Sequence, residues 1–185
     1  SACTNDTIFI TVNPVNDAPV LDNETISTNE DTPVNGDLTD AGDSDPDTTA
    51  LTANTVPVLN PSNGIIVVNA NGTYTYTPDL NFNGTDMAVV SICDAGTPMP
   101  SICVNDTIFI TVNPVNDAPV LDNETISTNE DTPVNGDLTD AGDVDPDSTA
   151  LTANTVPVLD PTNGIIVVNV NGTYTYTPNA DFNGT

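Results

Sequence analysis

The stretch IIVVNANGTYTYT, residues 65–77, decides the fold. Two short runs rich in β-branched and aromatic residues, 65–68 and 73–77, flank Asn71-Gly72, a strong hairpin signal. Tyr74 and Tyr76 share one face of the second run, as alternation in a strand requires. Working outward, ETIST (24–28), TPVNGDLT (32–39) and LTANTVPVL (51–59) precede the hairpin, and MAVVSIC (87–93) and DTIFITV (106–112) follow it. Turn residues separate all of these runs and no helical period appears. Seven short strands in about 100 residues indicate an immunoglobulin-like β-sandwich.

The unit repeats. Residues 1–85 align with 101–185 without a gap, and they differ at ten positions, as at Ser62 against Thr162. A period of 100 residues suits one small β-domain. The expected organisation is therefore a last strand of a preceding repeat plus linker over 1–15, a complete repeat over 16–115, and an incomplete second repeat, strands A to E, over 116–185. The fold class is all-β: tandem seven-stranded immunoglobulin-like β-sandwich domains in an elongated array, read as part of a longer chain.

Composition excludes several functions. The chain holds 27 acidic residues and no Lys, Arg or His, a formal net charge of −27. Nothing in it can neutralise phosphate, so nucleic acid is excluded as a partner, and anionic membrane surfaces with it. The apolar runs are too short to span a bilayer, so no membrane insertion is expected. A nucleophilic enzyme would need a base that the chain lacks, and a glycosidase would need an aromatic cleft, whereas Trp is absent. No enzymatic activity is expected. Cys93 and Cys103 flank a Gly/Pro turn between two strand-like runs, as a hairpin disulfide requires, and Cys3 is the copy of Cys103. A bridge there would place the protein in an oxidising, extracellular setting.

The acids gather where repeats meet. With strands A to G alternating in direction, the A–B and E–F turns lie at one pole and the B–C loop and F–G hairpin at the other. Glu30, Asp31 and Asp86 then converge on the linker residues Asn116 and Asp117, with Asp143, Asp145 and Asp147 of the following repeat. Asn16, Asp17, Asp43, Asp45 and Asp47 form the upstream equivalent. Oxygen-only ligands and no cationic side chain point to Ca²⁺. The alternative for DAGDSDPD is a solvated, hydrogen-bonded acidic loop.

The stretch PVNDAPVLD resembles the cadherin junction motif, with Asp145 and Asp147 matching its Asp-x-Asp pair and Glu30 its basal glutamate. NEDTPV, DPDTTALT and NGTYTYTPDLNFNGTD look like the cadherin-like tandem repeats of very large bacterial surface adhesins, and ICDAGTPMPSICVNDTIFITVNPVNDAPV is similar to repeats of Bacteroidetes surface proteins. Two departures lower the carboxylate number: the linker has one acid, and FNGTD stands where an acidic triplet is usual. The resemblance implies a stalk or surface fibre at the bacterial cell surface, stiffened by Ca²⁺ between adjacent repeats of the same chain, with a distal ligand that these residues do not reveal. Two alternatives stay open: each repeat is an adhesive module for glycan or for its own kind, or copies join into a filament by strand complementation. Glycosylation is a further expectation, at the sequons of Asn71 and Asn83 and, from the Bacteroidetes resemblance, at Asp-Thr/Ser sites including Thr7, Thr107, Thr48 and Ser148.

Overall fold

The computed structural model describes residues 3–47, 50–96, 98–147 and 150–185. The chain divides into two units, residues 1–115 and 116–185. Unit 1 is a two-sheet sandwich of seven strands: β1 (Glu24–Asn29), β2 (Val34–Asp37), β3 (Thr52–Ala53), β4 (Gly64–Val68), β5 (Thr73–Pro78), β6 (Gly84–Cys93) and β7 (Cys103–Asn113). One sheet has the order β1-β7-β6-β3 and the other β2-β5-β4. β1 and β7 pair in parallel, from Glu24 opposite Ile108 to Asn29 opposite Asn113. Alternating strand directions require this, because the first and seventh strands run the same way.

The core lies between the sheets, because inward positions recur every second residue. Ile108, Ile110 and Val112 of β7, Ala88, Val90 and Ile92 of β6, and Tyr74 and Tyr76 of β5 are buried together with Leu38. Each such aliphatic side chain contributes about 1.5–3 kcal/mol on burial. Cys93 and Cys103 are joined in a disulfide where β6 meets β7. The β4–β5 hairpin forms with a three-residue loop: the Asn69 N–H donates to Thr73 O (2.9 Å) and the Gly72 N–H to Asn69 O (3.0 Å). Within this loop Gly72 takes a left-handed φ of 91°, which its missing Cβ permits.

The expected third strand, 51–59, is reduced. Only Thr52 and Ala53 pair regularly with β6, and Leu59 rejoins it by a single bridge to Val89. Pro57 in between has no N–H to give to a ladder.

Unit 2 carries β8 (Val134–Asp137), β9 (Gly164–Val168) and β10 (Thr173–Pro178), in the order β8-β10-β9. Its register repeats that of β2-β5-β4: Val134 faces Tyr176 and Val168 faces Tyr174. Residues 124–128 and 151–159, expected as strands A and C, form none. Their counterparts in unit 1 hydrogen-bond to β7 and β6, and residues 116–185 contain no copy of either. Leu138, Val156 and Leu159 are exposed. Residues 3–15 are likewise exposed and form no strand. No helix of the described residues is long and apolar enough to cross a membrane.

Candidate metal centre

At one end of the unit 1 sandwich, Asp22, Glu24, Asp40 and Asp43 each direct one carboxylate oxygen to within 4.8 Å of the others. Asp22 lies just before β1 and Glu24 is its first residue, so both project from the same side of an extended segment. The loop after β2 brings the other two. Asp40 Oδ1 accepts the Gly42 N–H (2.8 Å) and Asp40 O accepts the Asp43 N–H (3.2 Å), a side-chain-supported turn. Val20 and Ser44 exchange two backbone hydrogen bonds, of 2.8 and 2.9 Å, and the Asp22 N–H donates to Asp43 Oδ1 at 3.1 Å. Gly42 lies close to the Asp22 carboxylate: a Cβ there would lie 2.2 Å from Asp22 Oδ1, so a larger residue would displace that side chain.

Beneath the four acids lies a fifth. Asp106 of β7 is in phase with the core residues Ile108 and Ile110 and is 1% exposed. Its Oδ1 accepts the Thr107 N–H at 2.6 Å, while Oδ2 has no partner. Because Glu24 is paired with Ile108 in the parallel register, Glu24 and Asp106 rise from the same inner face. Asp43 Oδ2 and the hydroxyl of Tyr74 are also buried without partners.

The electrostatics follow from this crowding. Burial, and then the charges of Asp40, Asp106, Asp43 and Asp22, push the Glu24 carboxyl up to about 7. Burial and the charges of Asp43, Asp22 and Asp40 hold Asp106 at about 6 against the lowering effect of its Thr107 hydrogen bond. Burial raises Asp43. Tyr74 is raised by burial and then by Glu24 and Asp106, which places its hydroxyl in the same field.

Unit 2 builds the same rim from Asp122, Glu124, Asp140 and Asp143. The Asp122 N–H donates to Asp143 Oδ1 (3.0 Å) and Gly142 N–H to Asp140 Oδ1 (2.8 Å). Asp143 is 9% exposed, with Oδ2 unpartnered.

The sequence-derived ligands distribute differently. Asp43 and Asp143 belong to these clusters. In unit 1 the Asp17 N–H donates to Asp47 Oδ2 (2.7 Å) and the Asp47 N–H to Asp45 Oδ1 (2.8 Å). In unit 2, Asp117, Asp147 and Asp145 make the same two bonds, and Asn116 Nδ2 donates to Asp117 O at 2.8 Å. Asn16 Nδ2 donates to Asp94 Oδ2 (2.8 Å) and Pro100 O (3.0 Å), which ties the linker to the β6–β7 hairpin. Asp94 is buried, yet bonds from Asn16, Ile102 and Gly96 hold its carboxyl below the ordinary range. At the opposite end, Glu30 Oε1 accepts the Val115 N–H, and Asp31, at φ 57°, accepts the Asn81 N–H at 2.9 Å. Asp86 is engaged inside the fold: Ser62, Asn63 and Met87 donate their N–H groups to it, and Tyr76 its hydroxyl. Asn16 Oδ1, Glu30 Oε2 and Asp45 Oδ2 are buried without partners. Among the glycosylation candidates, Thr7, Asn71 and Asn83 are exposed and Thr107 is half-buried; Thr48 and Ser148 lie outside the described residues.

Asp22, Glu24, Asp40 and Asp106 were not among the residues that the sequence pointed to. Two signals were there: the i, i+2 spacing of Asp22 and Glu24, and the inward phase that places Asp106 with Ile108 and Ile110.

Among solved structures the chain is similar to human protocadherin-24 EC1-2, at 22% identity and a TM-score of 0.57, covering 89% of this chain and 81% of that one. Drosophila N-cadherin EC1-4 follows at 19% identity and a TM-score of 0.52, covering 86% of this chain and 40% of that one. An endo-fucoidan hydrolase from glycoside hydrolase family 107 matches at 17% identity and a TM-score of 0.40; 88% of this chain is covered but only 24% of that one, and likeness at this level carries no argument. The chain thus spans less than half the length of the last two. No curated protein sequence matches it. The cadherin likeness establishes the fold, an all-β cadherin-like sandwich. The model of the bacterial Ig domain matches residues 16–105 and again 116–185, and the chain belongs to that family as a tandem of its repeats.

Proposed function

We infer that the chain is a structural repeat segment of an extracellular adhesin stalk or surface fibre, non-enzymatic, with Ca²⁺ stiffening the connections between repeats. The observation that carries this reading is the repeated clamp on the linker. The N–H of Asp17 is held by Asp47, and that of Asp117 by Asp147, so the chain leading into each repeat is bonded to that repeat. A bonded linker transmits orientation, whereas a flexible one does not. Asn16, Asp17, Asp45 and Asp47, with Asn116, Asp117, Asp145 and Asp147 in the next copy, offer oxygens of the type Ca²⁺ prefers. The absence of every Lys, Arg and His leaves a dissolved cation as the means of neutralising them. The disulfide supports an oxidising, cell-surface location.

X-ray scattering of the 185-residue chain, with Ca²⁺ and then with chelator, tests the reading. The expected result is a longer, stiffer particle in Ca²⁺ and loss of that response in Asp117→Asn/Asp145→Asn/Asp147→Asn. Identical scattering in both conditions would overturn it.

A further inference from the structure

We propose that Asp22, Glu24, Asp40 and Asp43, with Asp106 beneath them, bind a Ca²⁺ ion inside the repeat, and that Asp122, Glu124, Asp140 and Asp143 hold another in unit 2. The four rim acids bring their oxygens within 4.8 Å of one another in each unit. Exposed acids often crowd without an ion, so the argument rests on what lies below the rim. Asp106 is almost wholly buried, rises from the same inner face as Glu24, and leaves Oδ2 without a hydrogen bond. A buried carboxylate oxygen left unmatched costs free energy that the folded state recovers only if a ligand satisfies it. The Tyr74 hydroxyl and Asp43 Oδ2 are unmatched in the same region, and in unit 2 the nearly buried Asp143 repeats the orphaned Oδ2. No side chain can supply the missing positive charge, because the chain has no Lys, Arg or His.

The donor set selects the ion. Carboxylate oxygens alone, from three separate segments, suit a hard cation that accepts six to eight oxygens in adaptable geometry, with water filling the remaining positions. Glu24 begins β1, Asp40 and Asp43 lie in the loop after β2, and Asp106 is on β7. An ion here joins the first strand and the loop to the seventh strand within one repeat. It is independent of the linker ions proposed above.

Terbium, which replaces Ca²⁺ and emits when a nearby tyrosine is excited, tests this in the full 185-residue chain. In a Glu124→Gln/Asp143→Asn background, tyrosine-sensitised emission is expected from the unit 1 site. It should be displaced by Ca²⁺ and lost in Tyr74→Phe, while Ca²⁺ still raises the melting midpoint of that variant. Adding Glu24→Gln/Asp106→Asn should weaken Tb³⁺ and Ca²⁺ binding by about tenfold or more. These variants relieve repulsion and so fold without the ion. Asp47→Ala/Asp147→Ala, which removes the acceptors of the linker clamps, should keep the emission while losing the scattering response. Unchanged Tb³⁺ and Ca²⁺ affinity in Glu24→Gln/Asp106→Asn would overturn the site whatever scattering shows, and equal stabilisation by Mg²⁺ would overturn its assignment to Ca²⁺.

Discussion

Residues 16–85 and 116–185 are nearly the same sequence in two surroundings. In unit 1 they meet β6 and β7; in unit 2 they do not. The sheet β2-β5-β4 and its copy β8-β10-β9 form in both with one register, because their strands are neighbours in sequence and a three-residue loop closes the hairpin. β1 and β3 form only in unit 1, where β7 and β6 satisfy their backbones. Leu38 is 0% exposed and its copy Leu138 is 36% exposed, although their immediate sequence is identical. The acidic rim behaves like the local sheet: it assembles in both units because its residues lie within about two dozen positions of one another.

The sharpest way to break this contrast is to truncate one residue in both settings. Ile110→Ala removes a core side chain of β7 and should destabilise unit 1 by about 2–5 kcal/mol. The copy, Ile10→Ala, should change stability by no more than about 0.5 kcal/mol, since Ile10 is 80% exposed. Denaturant unfolding of the two variants measures both; equal effects would mean that residues 3–15 are packed in solution.

Reducing the Cys93–Cys103 bond comes next. It closes a short loop and should lower the stability of unit 1 by about 2–3 kcal/mol, leaving the unfolding of unit 2 unchanged.

The smallest effect is a pH dependence in cation-free protein. Glu24 faces Asp22, Asp40, Asp43, Asp106 and the Tyr74 hydroxyl, and its folded value, about 7, lies above the ordinary 4.5; that of Asp106, about 6, lies above 3.8. The folded state therefore binds more protons than the unfolded state between these limits, so the contribution of these two groups to stability is present in full below about pH 4 and is lost as pH rises towards 7. Melting across that range should show a shallower slope for Glu24→Gln than for the parent. Glu124→Gln should change it less, since no described residue of unit 2 corresponds to Asp106.

Much of this architecture was legible beforehand. Alternation located six of the seven strands of unit 1, since β-branched runs bounded by Gly, Asn and Pro can bury a face only as strands. The disulfide followed from two cysteines flanking one turn. The third strand was overread because Pro57 interrupts its ladder while its apolar residues keep the pattern. Strands A and C of the second copy were overread for a different reason: their propensity is unchanged, but a strand without a neighbour has no hydrogen bonds to make. Asp86 read as a ligand by its charge, yet its oxygens are engaged by Ser62, Asn63, Met87 and Tyr76, donors that no spacing reveals.

The repeat, the all-β class, the hairpins and the absence of any internal counter-charge are properties of the sequence alone, because composition and near-neighbour alternation determine them. Which acids share a site was decided by tertiary structure. Asp106 stands more than eighty positions from Glu24, and only the parallel pairing of β1 with β7 places both on one inner face. Charge can be counted along a chain, but its burial depends on what folds over it.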